Sequence, residues 1–91
     1  MSVIRIPTPL RPYTNGNSQV TVSGETVGAA LNDLTSQYPA LRPHLFEGDV
    51  LRSFVNIYLN QEDIRYQNGP ETALKANDTL MIIPSIAGGV A

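Results

Sequence analysis

The chain contains no cysteine, and this absence excludes more chemistry than any residue present supplies. No disulfide can staple the fold, so packing alone must hold it. No thiol nucleophile, persulfide or thiolate metal site can form on the protein itself. Histidine occurs once, at His44. The sequence therefore offers no metal-ligand set, and His44 is expected on a partly exposed loop. Lysine also occurs once, at Lys75, and the arginines are scattered through a chain of net charge −2, which leaves no basic patch for nucleic acid. No apolar run is long enough to span a membrane, and the N-terminal residues show no signal-peptide pattern, so no membrane partner is expected and the cytoplasm is the expected location. Gly24 and Gly28 do not have the spacing or the strand-turn-helix context of a phosphate-cradling loop. The acid pairs Glu47/Asp49 and Glu62-Asp63 fall in turn-like stretches, and Ser85 has no His or Lys close in sequence. With no cleft to pair carboxylates and no nucleophile beside a base, the chain is read as not an enzyme and as binding no cofactor.

What is present describes one small globular domain. The 91 residues are 42% hydrophobic and 15% charged, a balance that can bury a core and is unlike that of a disordered segment. A chain of this size buries about 60–65% of its unfolded surface, so nearly every core position counts. Val3 to Ile6 reads as a first strand ended by Pro7 and Pro9. Pro12 and then Asn15-Gly16-Asn17 predict a long hairpin loop before a returning strand over Gln19 to Ser23, with Val20 and Val22 on one face. Thr26 is placed to cap a helix whose apolar face is Val27, Ala30, Leu31 and Leu34, ending before Pro39. Leu41 to Phe46 is expected to form a loop or one helical turn with Leu45 or Phe46 inward. The clearest strand is Ser53 to Leu59, with Val55, Ile57 and Leu59 on one face and Phe54, Asn56 and Tyr58 on the other. After a polar turn, a short strand is expected at Ile64-Arg65-Tyr66 and a helical turn at Glu71 to Lys75. Asn77-Asp78 then leads into a last strand, Thr79 to Ile83.

Hairpin, helix, irregular stretch and three further strands predict an α+β layer: a mixed sheet with one main helix on one face, the β-grasp arrangement of ubiquitin. The first and last strands should lie side by side, with the last one central. If Leu80 and Ile82 face the helix, then Met81 and Ile83 face outward near Phe54 and Tyr58, and an outer face of Met and aromatics suits a docking partner. The alternative is that the Leu41 to Arg52 connection covers this face. Residues 1–84 are assigned to the domain and 85–91 to a flexible tail, Ser85-Ile86-Ala87-Gly88-Gly89-Val90-Ala91. A Gly pair lets another protein's backbone approach closely and lets the chain thread a narrow channel.

Several stretches in this order carry a resemblance: Ile6-Pro7-Thr8 with Leu10-Arg11-Pro12, Phe54 to Tyr58, Glu62 to Arg65, and the Pro84 to Gly89 tail. Together they resemble the ubiquitin-like sulfur carriers of the ThiS/MoaD family, and within it the CysO-type carriers of an actinobacterial cysteine-biosynthesis route. The resemblance implies that a MoeB/ThiF-like partner spends ATP to adenylate the carboxylate of Gly89, and that sulfur then displaces AMP to leave a thiocarboxylate. Gly88, Ala87 and Ile86 would be the thread that enters the partner's active site. The other implied partners are a pyridoxal-phosphate cysteine synthase, which receives the sulfide, and a JAMM-type metalloprotease, which frees the product. Carriers of the family end at the second Gly, whereas here Val90-Ala91 follows Gly89, so cleavage between Gly89 and Val90 is expected first. A ubiquitin-like modifier that forms isopeptide bonds, and a β-grasp interaction module that is never activated, are the competing readings.

Overall fold

Two alternating apolar segments start the sheet. In a computed structural model that describes residues 2–52 and 55–84, β1 (Ser2–Arg5) pairs antiparallel with β2 (Gln19–Val22). Ile4, Val20 and Val22 are buried on one face. The connection expected as an open loop is instead a 3-10 helix over Thr8–Thr14. Pro9 and Pro12 fix φ and lack donors, which suits tight turns. Side chains complete the turn: Thr14 Oγ1 donates to Asn17 O (3.0 Å) and Arg11 Nε donates to Ile6 O (3.1 Å).

Helix α1 (Val27–Gln37) is capped as the sequence predicts, with Thr26 Oγ1 accepting from the Ala29 amide at 3.1 Å. It buries Val27, Ala30, Leu31 and Leu34, and stops ahead of Pro39. Gly24 is obligatory at its entrance, because φ is +153° and an added Cβ would lie 2.7 Å from the Ala30 nitrogen. A 3-10 turn (Pro39–Leu41), α2 (Arg42–Leu45) and a small hairpin of β3 (Phe46–Glu47) and β4 (Val50–Leu51) follow. Leu41, Leu45 and Phe46 all enter the core.

β5 (Val55–Leu59) turns through Asn60 and Gln61, whose φ values of 49° and 78° meet the requirement of a two-residue hairpin turn, into β6 (Glu62–Asp63). The short strand is thus two residues earlier than expected. Ile64–Tyr66 is a 3-10 turn, because the Asp63 carboxylate accepts from the Arg65 amide at 2.8 Å and bends the chain while Ile64 is buried. The helical turn expected at Glu71 to Lys75 is likewise corrected: the 3-10 segment is Gly69–Glu71. The residues beyond it are drawn out against the entrance of α1, where the Val27 amide donates to Thr72 O (3.0 Å) and the Leu74 amide to Glu25 O (2.9 Å).

The last strand, β7 (Thr79–Pro84), lies parallel to β1 and antiparallel to β5. Among the described residues the main sheet has the order β2-β1-β7-β5-β6, with α1 on one face. This is the β-grasp arrangement, and β7 is its centre.

Leu80 is fully buried, so Leu80→Ala should cost about 2–5 kcal/mol in urea unfolding, the range of a core cavity. Asp78 at the entrance of β7 is held below the ordinary carboxylate value by the Lys75 amide and then by the Asn60 side-chain amide, both donating to it. A lowered native pKa favours the anion in the folded state, so its contribution is complete above the unfolded value and is lost as pH falls through the lowered one. The stability advantage of the native chain over Asp78→Asn should therefore be present in urea titrations at pH 7 and shrink below about pH 4.

Candidate functional site

Alternation along β7 divides its residues between two jobs. Leu80 and Ile82 point to α1 and are buried, while Met81 is half-buried and Ile83 is 37% exposed on the other face. The register sets their neighbours. Met81 lies between Arg5 of β1 and Tyr58 of β5, and Ile83 lies opposite Asn56. A depression of about 550 Å³ opens there, lined by Arg5, Tyr58, Thr79 and Met81 and by the turn residues Asn60 and Gln61. Among the described residues the surface is an apolar strip with Arg5 beside it, and none of its side chains forms a nucleophile–base pair, an arrangement suited to docking a partner.

The Leu41 to Arg52 connection does not cover this surface. Leu41, Leu45 and Phe46 belong to the core that includes α1, and Phe46, Val50 and Leu51 line a cavity with Leu31 and Ile57 on the helix side. Of the docking residues expected from the sequence, Met81 and Tyr58 are cross-strand partners and Ile83 is two residues farther along the same face. Phe54 lies outside the described residues, as do Ile86, Ala87, Gly88, Gly89 and Val90. Arg5, Asn60 and Gln61 were not foreseen. Alternation alone places Arg5 opposite to Ile4 and Ile6, but only the parallel β1–β7 pairing brings it beside Met81. For the turn, nothing in Asn-Gln marks two positive φ angles as Asn-Gly would.

The entrance to β7 is clamped at the opposite end from the tail. The Thr79 amide donates to Asn60 Oδ1 (3.1 Å), the Asn60 amide to Thr79 O (3.0 Å), and Asn60 Nδ2 to Asp78 Oδ1 (3.1 Å). At the exit, Pro84 pairs with Val55. The strand that precedes the Gly pair is therefore fixed in register along its whole length. His44 is exposed and its ring stacks on Tyr13 at 4.0 Å. No group of three or more metal-ligating side chains occurs among the described residues, and no helix there is long and apolar enough to cross a membrane.

Comparison with known proteins supplies what this geometry cannot. A family model described as the ThiS family matches residues 4–89. The chain is 42% identical over 89 residues to sulfur carrier protein CysO of Mycobacterium tuberculosis, an alignment covering 94% of this chain and 96% of that one. Its fold superimposes with a TM-score of 0.89 and 37% identity on a chain of the Amycolatopsis orientalis BexX/CysO complex, covering 98% of this chain and 100% of that one. It is also similar to small archaeal modifier protein 1 of Methanosarcina acetivorans, with a TM-score of 0.88, 36% identity, and coverage of 97% and 95%.

Ile83 contributes to a surface and not to the core, so Ile83→Asp should leave thermal unfolding within about 0.5 kcal/mol of the native chain, the usual range for surface changes. The same substitution should weaken capture of any protein that docks on this face at least tenfold in a binding titration, as expected for a charge placed in an apolar contact.

Proposed function

The chain belongs to the ThiS family, and on that premise we propose that it carries sulfur on its C-terminal Gly89 as a thiocarboxylate, for cysteine biosynthesis. Like the CysO carriers it resembles, it is a carrier and not an enzyme. A MoeB/ThiF-like partner uses ATP to convert the Gly89 carboxylate into an acyl-adenylate. A sulfur donor then attacks the acyl carbon, AMP leaves, and one oxygen of the terminus has been replaced by sulfur. Sulfide held this way is tethered, nucleophilic and non-volatile. A pyridoxal-phosphate cysteine synthase is the proposed acceptor, and a JAMM-type metalloprotease the enzyme that frees the product.

The observation that carries this reading is β7. Its inward residues anchor it at the centre of the sheet, its outward residues form the docking strip, and its last residue precedes the small-residue tail by one position. The body supplies recognition, and Ile86, Ala87 and Gly88 supply reach. About 3.3–3.6 Å per extended residue takes Gly89 up to about 18 Å beyond Pro84, enough to enter a recessed active site. The absence of cysteine supports the reading as well, since the sulfur rides on the terminus. Only a free Gly89 carboxylate can be adenylated, so Val90-Ala91 has to be cleaved first, and the same metalloprotease is the proposed processing enzyme.

One observation favours a second reading, a modifier joined to amines of other proteins: the likeness to a small archaeal modifier protein. Both readings need activated Gly89, and conjugate ladders on a blot of cell extract would mark the second.

The deciding measurement is the intact mass after incubation with ATP, sulfide and the adenylating partner. A chain ending at Gly89 should gain the mass difference of one oxygen exchanged for sulfur, and a chain retaining Val90-Ala91 should gain nothing. Equal conversion of the two would overturn the processing step, and no conversion of either would overturn the carrier reading.

A further inference from the structure

A cavity of about 790 Å³ lies on the helix side of the sheet, between α1, the β3–β4 hairpin and the 3-10 turns that follow β6. Its floor is the core itself, since Leu31 and Ile57 line it while being almost wholly buried. Phe46, Val55 and Ile64 continue the apolar wall. A volume in this range, with an apolar lining and a few fixed polar groups, is typical of small-molecule sites.

Charge gives the cavity a preference. Among the described residues, Arg42, Arg52 and Arg65 line it, three of the six cationic side chains of the protein, against one acid, Asp49, which pairs with Arg42 at 3.3 Å. The chain as a whole carries eight acids and a net charge of −2, so this opening is locally positive on a negative molecule. Each guanidinium is also held in place. Arg42 Nη2 donates to Gly48 O (3.1 Å) and its guanidinium sits 4.6 Å from the centre of the Phe46 ring. Arg52 Nε donates to Pro43 O (2.8 Å), and Arg65 Nη2 donates to Val55 O (3.2 Å). Donors fixed in this way lose little freedom when an anion arrives. Val50, 69% exposed, extends the apolar lining out to solvent.

We propose that this cavity binds a small anionic amphiphile, its apolar body on Leu31 and Ile57 and its carboxylate, sulfonate or phosphate head toward the arginines. The site is separate from the outer sheet face. Val55 belongs both to the cavity wall and to the strand pair with Pro84, so the site borders the base of the tail.

The test is a fluorescence titration of the full chain with anilinonaphthalene sulfonate, paired with its uncharged relative phenyl naphthylamine. Amide chemical shifts and thermal unfolding are followed in parallel. The expected result is saturable one-to-one binding of the sulfonate, shift changes at Leu31, Ile57 and Ile64, and a raised Tm, which marks binding to the native state. Val50→Asp adds a negative charge at the mouth and should weaken the sulfonate about fivefold more than it weakens the uncharged probe. Asp49→Asn removes one and should tighten the sulfonate by a similar factor. Ile83→Asp, on the other face, should change neither. Equal affinity for the two probes, indifference to both charge variants, shift changes at Met81 and Tyr58, or a lowered Tm would each overturn the proposal.

Discussion

Everything in this fold depends on the two-residue period of β7. Leu80 and Ile82 must be inside for a core this small to close, and strand geometry then leaves Met81 and Ile83 outside. A register slip of one residue would expose the core pair and bury the outward pair, losing fold and surface together. Pairing on both edges prevents the slip, with β1 parallel on one side and β5 antiparallel on the other. The Asn60 clamp fixes the starting point. The outer surface and the stability of the core are thus two readouts of one register.

The same strand reconciles rigidity with reach. A reactive terminus has to be pliable to enter a partner's site, yet a fully flexible carrier would bring no orientation to the encounter. Paired backbone runs to Pro84, opposite Val55. Under the proposed function, a partner that gripped Met81 and Ile83 would hold the strand whose last residue immediately precedes the tail sequence.

Most of the architecture was legible in the sequence because periodicity changes were clear. Val20 and Val22 at a spacing of two, then Val27, Ala30, Leu31 and Leu34 at helical spacing, identify strand and helix, and Thr26 marks the boundary. The errors fall where side-chain hydrogen bonds or distant backbone override local pattern. Ile64-Arg65-Tyr66 has strand composition, but the Asp63 carboxylate caps a turn there. Glu71 to Lys75 reads as helical, but the backbone of Thr72 and Leu74 is taken up by Glu25 and Val27, far away in sequence. The outward placement of Tyr58, Met81 and Ile83 was legible as alternation on β5 and β7. Arg5 was not, since its place beside Met81 is a product of topology. The tail and its Gly pair were read from composition, their expected roles came from the family resemblance, and these residues lie outside the described ones.

The central position of β7 also sets an order in time. A ribosome makes this strand after β1, β2, α1 and β5, so until residues 79–84 have been synthesised the two edges they join have nothing to pair with. Contacts between strands this far apart in sequence form late in any case, since the loop must close before they are rewarded. The Gly pair is made four and five residues behind that strand. A chain stalled before residue 79 therefore lacks both the central strand and the Gly pair, so translation order adds the pair only to chains on which the sequence of the whole sheet has already been made.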